Sequence, residues 1–197
     1  MRQGAARHAL KDRKDDLYET PREATVALIA TDELEGFRGR TIWEPSAGRG
    51  AIARELRAGG FAVHCSDLVA HAGADSGIET PVDFLMEIRA PADCACAVMN
   101  PPYKLADAFI RHALGLGLPV IALLRLMAIE GAGRSDIIDR HLRRVWAGIE
   151  RLPTMHREGW DGPRQSNSGA PFAWFVFEPS PRGPAPAELR RISWRSP

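Results

Sequence analysis

The chain has 197 residues, 45% of them hydrophobic and 26% charged, which suits one domain with a complete core and is short for two. Its formal net charge of +1 carries no general signature of nucleic-acid binding. No apolar run approaches the roughly 20 residues that cross a bilayer, and residues 1–7 lead into none, so a cytoplasmic protein without a secretory signal is expected.

The N-terminal residues divide into a polar, basic arm at 1–14 and a helix predicted at 20–30. The arm is interpreted as a solvated tail, with phosphate contacts as the alternative. Thr20 is expected to cap the helix and Pro21 to occupy its first position. The free N–H groups at such a helix start are able to hold a carboxylate.

A strand, a glycine-rich turn and a helix follow at 41–44, 45–50 and 51–59, and a second strand at 61–66 ends in Asp67. This arrangement lets a ligand approach the backbone of the turn. Asp67 is placed to accept hydrogen bonds from two ribose hydroxyls, as in dinucleotide-binding folds. The turn does not match G-x-G-x-x-G, which favours a nucleoside without phosphates over a pyrophosphate cofactor.

The three cysteines, Cys65, Cys94 and Cys96, are an odd number, and they lie inside predicted strands. This pattern argues against a disulfide framework and against a metal site. We expect the cysteines to be small buried hydrophobes.

Residues 94–99 form a predicted buried strand that runs directly into Asn100-Pro101-Pro102-Tyr103. The two prolines cannot continue a strand, because neither has an N–H and both fix φ. The chain must therefore leave the sheet after Asn100, at the carboxyl edge where open α/β sheets bind ligands. A buried Asn before Pro-Pro-Tyr has one well-known chemical use, which is to hold a planar NH₂ group during methylation.

The rest of the chain continues the alternation of helices and strands. We predict a helix at 104–114, a central strand at 119–126, a short helix at 135–142, and strands at 144–150 and 172–177. The irregular stretch 152–171 is typical of a binding loop or lid, and 179–197 reads as a flexible Pro-rich tail. The alternation predicts a single doubly wound α/β domain over 15–178.

The motifs at these strand ends resemble those of the class I S-adenosylmethionine-dependent methyltransferases, and most of all the small phage-type DNA N6-adenine methyltransferases. The likeness covers roughly 16–178 and is carried by Asp16-x-Tyr18-x-Thr20-Pro21, Glu44-Pro45-Ser46-Ala47-Gly48-x-Gly50, Asn100-Pro101-Pro102-Tyr103 and Trp174-Phe175-Val176-Phe177. It implies a Rossmann-like, mostly parallel sheet of seven strands, S-adenosyl-L-methionine as cofactor, and transfer of a methyl group to adenine in DNA.

The resemblance also implies a cofactor site. The 44–50 loop would wrap the methionine part, Thr20 with its helix start would help hold the carboxylate, Asp67 would bind the ribose, and Asp83 with Phe84 would bracket the adenine. The full implied set is Tyr18, Thr20, Pro21, Glu44, Pro45, Ser46, Ala47, Gly48, Gly50, Asp67, Leu68, Asp83, Phe84 and Asn100. From its own segment alone, Asp83 is interpreted as a solvated loop residue.

The implied chemistry is direct transfer to a planar amine. The Asn100 side-chain oxygen and the Pro101 carbonyl accept its two N–H bonds, Pro102 fixes the turn, and Tyr103 stacks on a base flipped out of the duplex. DNA contacts are assigned to Tyr103, Lys104, Arg157, Trp160, Arg164, Gln165 and Asn167. A separate target-recognition domain has no room here, so specificity is loose or a homodimer or second subunit contributes.

Three other functions stay open at this point. The same tetrapeptide serves methylation of an RNA base and of a glutamine amide in translation release factors, because both target NH₂ groups are planar. The third alternative is a non-catalytic cofactor-binding subunit that partners another methyltransferase.

Overall fold

A central sheet organises the chain in a computed structural model, which describes residues 17–153, 155, 167–180 and 186–195. Its strands are β1 Thr41–Glu44, β2 Ala62–Ser66, β3 Ile78–Glu79, β4 Cys94–Met99, β5 Val120–Arg125, β6 Leu142–Gly148, β7 Phe172–Phe177 and β8 Glu188–Ile192. The helices are α1 Arg22–Ile29, α2 Ala51–Ala58, α3 Ala106–Gly115 and α4 Ser135–His141. Among these described elements, no helix is long and apolar enough to cross a membrane.

The strand order is β3-β2-β1-β4-β5-β7-β6-β8, and strands β1 to β5 run parallel. Strand β7 lies antiparallel between β5 and β6. The direction of winding reverses between β1 and β4, which opens a crevice beyond their carboxyl ends. Glu44 ends β1, and Asn100 directly follows β4, so both lie at this crevice.

The sheet is buried on both faces, which explains why its central strands read as continuous apolar runs. One face packs α1 and α2 against Ile42, Val98 and Trp174. The opposite face packs α3 against their sequence neighbours Trp43 and Met99. Alternate residues of the central strands β1, β4, β5 and β7 therefore belong to two separate hydrophobic clusters.

The predicted fold class and alternation of elements are confirmed, and element boundaries shift by a few residues. Helix α3 begins at Ala106 rather than 104, because a turn closes first when Leu105 N–H donates to the Pro102 carbonyl at 2.8 Å. Strand β6 begins at Leu142 and takes over the end of the predicted 135–142 helix.

Two predictions near the chain ends are wrong. Within the described residues, the sheet has eight strands instead of seven, because residues 188–192 of the predicted flexible tail form β8 parallel to β6. Ile192 and Trp194 anchor this strand by burial, although the residues of β8 before Ile192 are exposed and give little apolar signal. Thr20 does not cap α1 either. The helix begins at Arg22 after Pro21, whose φ of −58° and ψ of 138° are extended.

We expect Trp194→Ala to destabilise the fold by about 3–5 kcal/mol, since its side chain is only 2% exposed over β6. Leu189→Ala is the matched control on the same segment, because Leu189 is 71% exposed and should change stability by less than about 0.5 kcal/mol. Denaturant unfolding of both variants measures the difference. Equal, small effects would mean that β8 does not belong to the folded core.

Candidate active site

The carboxyl ends of β1, β2 and β4 surround one cavity of about 300 Å³. Most of the residues predicted from sequence line it. They are Tyr18, Thr20, Glu44, Pro45, Ser46, Ala47, Gly48, Asp67, Leu68, Asp83, Phe84, Asn100, Pro101, Pro102 and Tyr103. The volume lies at the lower end of the range for small-molecule sites.

The glycine-rich turn needs glycine at two positions with different neighbours. Gly48 has φ of +56°, and a Cβ there would lie 2.6 Å from the Leu17 side chain, which packs on the turn. Gly50 has φ of +86°, and a Cβ there would lie 2.8 Å from the Asp75 carboxylate. Gly50 therefore shapes the start of α2 without lining the cavity, contrary to its predicted contact with a cofactor.

Asp67 is held in place by backbone donors on both sides of the crevice. Its Oδ2 accepts from Gly48 N–H at 2.7 Å, and its Oδ1 accepts from Val69 N–H at 2.9 Å. His71 Nε2 lies 3.6 Å from Oδ1, and this imidazole side chain is only 5% exposed. The carboxylate is thus rigidly oriented at the cavity wall, and its remaining lone pairs are able to accept from a ligand hydroxyl.

Glu44 lies beneath the cavity and supports it. The residue is 1% exposed, and its Oε2 accepts from Ala53 N–H at 2.8 Å, in the first turn of α2. Burial raises the pKa of the Glu44 carboxyl well above its usual value, and the Ala53 hydrogen bond opposes this effect only in part. Glu44 therefore ties β1 to the start of α2.

Asp83 and Phe84 take different positions although they are adjacent. Asp83 is exposed, and its Oδ1 accepts from Leu85 N–H at 3.1 Å in the short turn Phe84–Met86. Phe84 is 1% exposed and lies between Trp43 and Phe109, with ring centroids 5.0 and 4.9 Å away. Its ring forms the floor of the cavity and belongs mainly to the core.

The Asn100 side chain has a fixed orientation. Its Nδ2 donates to the Tyr18 carbonyl at 3.2 Å and to Thr20 Oγ1 at 3.1 Å, and it contacts Met155 Sδ at 3.9 Å. Both N–H groups are therefore directed into the protein. Within the part of the chain that the structure describes, no group donates to Asn100 Oδ1.

The two proline carbonyls that follow Asn100 are not equivalent. The Pro102 carbonyl accepts from Leu105 N–H in the turn before α3. For the Pro101 carbonyl, the described residues supply no donor. One carbonyl is thus committed to the fold, and the other is available to a ligand.

Tyr103 forms an aromatic wall of the cavity, and the Arg125 guanidinium lies behind its ring. Its ring centroid lies 5.3 Å from that of Tyr18, at an interplanar angle of 56°. The Arg125 guanidinium at the end of β5 lies 4.9 Å from the Tyr103 centroid, a cation–π distance. Tyr103 Oη donates to Met155 Sδ at 4.0 Å.

Several predicted contacts do not reach the cavity. Pro21 and Lys104 are not among the residues that line it. Asn167 is exposed, and its backbone pairs with Pro153 in an isolated antiparallel bridge. Arg157, Trp160, Arg164 and Gln165 lie outside the described residues.

The site also involves residues that the sequence interpretation missed. Arg49, Leu17 and His71 line the cavity, whereas Arg125 and Met155 lie behind the lining, against Tyr103 and Asn100. Arg49 lies inside the glycine motif and lines the wall, so the motif itself could have suggested it. Arg125 is the last residue of β5, and Asp67 directly follows β2. The strand-end rule that predicted Asp67 could therefore have found Arg125 as well. Leu17, His71 and Met155 come from irregular segments, where no periodicity signals a position in the site.

The sequence matches no protein-family model, and no curated protein matches it. Three solved structures that share the fold are methyltransferases by name. A provisionally assigned RNA methyltransferase from Pyrococcus horikoshii has a TM-score of 0.58 and 16% identity, over 82% of this chain and 86% of its own. The 23S rRNA methyltransferase ErmE has a TM-score of 0.53 and 15% identity, over 82% and 69%.

The third structure is the M protein of the type I restriction enzyme EcoKI, with a TM-score of 0.52 and 14% identity. The match covers 92% of this chain and 50% of that protein. At these identities the three comparisons show a shared fold, and the cavity lies where that fold and the strand-end rule place a ligand site.

Glu44→Gln should make stability less dependent on pH. Because the carboxyl pKa is raised in the folded state, the folded protein binds this proton more tightly than the unfolded chain. The free energy of unfolding of the parent therefore falls as pH rises above about 4.3, the usual pKa of Glu. Gln keeps an oxygen for Ala53 N–H and carries no charge.

Denaturant unfolding between about pH 5 and about pH 8 tests this expectation. The stability of Glu44→Gln relative to the parent should increase toward the higher pH. The exposed Glu130→Gln should show a difference that does not grow with pH. A constant difference for Glu44→Gln would contradict the raised pKa.

Proposed function

We propose that this chain transfers a methyl group from S-adenosyl-L-methionine to the exocyclic N6 amine of adenine in DNA. The observation that carries the proposal is the orientation of the Asn100 side-chain amide. Both of its N–H groups are directed into the protein, while its Oδ1 lacks a donor among the described residues. An amine with two N–H bonds is the partner that such an acceptor site would orient.

The second acceptor is the Pro101 carbonyl, which no described residue bonds. An exocyclic amine on a purine is planar and a poor nucleophile, because its lone pair is shared with the ring. Two acceptors that hold its hydrogens favour a pyramidal nitrogen and direct its lone pair. Orientation of this kind, together with charge stabilisation, supplies most of the catalytic effect in our proposal.

The cavity wall fits S-adenosylmethionine in charge and in hydrogen bonding. Apart from the buried Glu44, three lining residues are carboxylic acids and one is an arginine, which suits a cofactor with a sulfonium and an ammonium group; they are Glu19, Asp67, Asp83 and Arg49. Ser46 Oγ is buried and has no partner among the described residues. The bound cofactor supplies an electrophilic methyl group on positively charged sulfur.

Individual residues then take separate parts of the cofactor. Asp67 accepts from the ribose hydroxyls, and the 44–48 loop surrounds the methionine part. We assign the methionine carboxylate to Arg49, a cation in the cavity lining, because the Thr20 hydroxyl is directed to Asn100. Asp83 at the exposed rim and Phe84 in the floor face the adenine.

DNA is favoured as the substrate by the likeness of the motifs to phage-type DNA adenine methyltransferases. Tyr103 would stack on the flipped base, and Arg125 behind its ring adds positive charge beside the polymer. RNA is the second candidate, because ErmE, an rRNA methyltransferase, shares the fold over 82% of this chain. A partner subunit or a second copy would supply target recognition.

A transfer assay with radiolabelled S-adenosylmethionine tests the proposal directly. Duplex DNA, RNA and bulk protein are offered in parallel, and modified nucleosides are identified by mass spectrometry after nuclease digestion. N6-methyladenine in DNA is the expected product. Label found only in RNA or only in protein would identify that polymer, instead of DNA, as the substrate. Cofactor binding without any transfer would favour a non-catalytic subunit.

Asn100→Ala should abolish methyl transfer, because the target amine loses its side-chain acceptor. Cofactor affinity should change little, since the proposed cofactor contacts lie mainly on the β1 and β2 side. Radiolabel transfer and calorimetric titration of the cofactor measure the two quantities. Glu130→Gln serves as the surface control for expression and folding. Retained transfer in Asn100→Ala would exclude Asn100 as the acceptor.

Asp67→Ala should show the opposite pattern. Loss of a carboxylate that accepts two ribose hydroxyls should weaken cofactor binding by at least roughly tenfold, because hydrogen bonds to charged groups contribute about 1.5–3 kcal/mol each. Cofactor titration measures this change, and the kcat at saturating cofactor shows whether the chemical step survives. An unchanged cofactor affinity would mean that Asp67 does not bind the ribose.

A further inference from the structure

The residues before α1 orient the proposed catalytic amide. We propose that Thr20 is a positioning residue whose hydroxyl, together with the Tyr18 carbonyl, keeps Asn100 Nδ2 toward the protein and Asn100 Oδ1 toward the substrate. The inference rests on the proposed function, in which Asn100 Oδ1 accepts from the target amine. It replaces the expected roles of Thr20 as helix cap and as carboxylate ligand.

A primary amide needs such orientation because its two ends have nearly the same shape. A rotation that exchanges Oδ1 and Nδ2 of Asn100 would turn the site from an acceptor into a donor. A donor at that position would repel an N–H of the target amine. The chemistry therefore depends on neighbours that distinguish oxygen from nitrogen.

The Tyr18 carbonyl makes this distinction, whereas Thr20, whose hydroxyl is able to donate as well as accept, fixes the second N–H in place. The Tyr18 carbonyl can only accept, so an exchanged amide would place two acceptor oxygens about 3.2 Å apart. Thr20 Oγ1 accepts the second N–H at 3.1 Å. With both contacts present, each Nδ2 hydrogen has a partner, and the amide has no spare donor for the substrate.

Thr20 is suited to this role by burial and by its neighbours in sequence. It is 7% exposed, so water competes little for its hydroxyl. Pro21 restricts the backbone of Thr20, the residue before it. Helix α1 is fixed in the core by Leu28 and by the Ala24 carbonyl, which accepts from Trp174 Nε1 at 2.9 Å. The hydroxyl is thus attached to a rigid support.

The arrangement also predicts which substrate atoms the site rejects. An amide presented only through its oxygen binds N–H donors and disfavours acceptors such as a ring carbonyl at the same position. Thr20 therefore contributes to the choice of an amino group as the methyl acceptor, although it does not touch the substrate.

Kinetic comparison of Thr20→Val with Thr20→Ser separates positioning from the alternatives. Val has nearly the same shape and no hydroxyl, whereas Ser keeps the hydroxyl. We expect Thr20→Val to lower kcat about tenfold, the effect of losing one hydrogen bond to the amide. Cofactor affinity should stay within about twofold, and Thr20→Ser should restore most of the kcat.

An NMR measurement tests the same contact without any activity. Asn100 and Asn167 are the only asparagines in the sequence, so selective ¹⁵N-asparagine labelling gives two side-chain amide pairs. Asn100→Ala identifies the pair that belongs to Asn100. In Thr20→Val this pair should exchange its hydrogens faster with solvent, while the Asn167 pair stays unchanged.

Two results would overturn the inference. One is a parental kcat and unchanged Asn100 amide exchange in Thr20→Val. The other is weaker cofactor binding with unchanged kcat, which would return Thr20 to the carboxylate. If Thr20→Val does not fold at the assay temperature, Thr20→Ala takes its place against Thr20→Ser.

The failure of the proposed function would look different. In that case the parental protein would transfer no methyl group to DNA, RNA or protein. The NMR comparison would still decide whether Thr20 fixes the Asn100 amide.

Discussion

The hydrogen bonds from the Asn100 amide to Tyr18 and Thr20 join segments that are 82 and 80 residues apart in sequence. On one side, β4 ends at Met99, and the two prolines that follow Asn100 force the chain out of the sheet. On the other side, residues 17–20 cross the crevice, since Leu17 packs on Gly48 and the Tyr18 ring lies beside Tyr103. The same short segment therefore contacts the proposed donor loop and the proposed acceptor site.

The acidic residues at the strand ends have separate tasks. Glu44 is buried, has a raised pKa and bonds α2, so it stabilises the position of the glycine turn. Asp67 is partly exposed and is oriented by Gly48 and Val69 N–H groups. Burial thus distinguishes a supporting carboxyl from one that faces the cavity, although both lie at the carboxyl ends of neighbouring parallel strands.

Strand-end logic predicted most of the site, because parallel strands bring their carboxyl ends to one edge. It assigned Glu44, Asp67 and Asn100 to one edge of the sheet, and the three residues line the same cavity. It could not predict that the Thr20 hydroxyl turns to Asn100, since cap preference is a local statistic and this contact is long-range. It also missed β8, whose residues before Ile192 are exposed and whose anchors are Ile192 and Trp194.

The position of β8 has a consequence for synthesis of the protein. Strands β6 and β7 leave the ribosome before β8. In the complete sheet, β6 is paired with β7 on one side and with β8 on the other. Until β8 is made, the other side of β6 is an open edge with unpaired backbone groups. The nascent chain therefore passes through a stage in which the free edge of β6 is able to pair with a strand of another molecule.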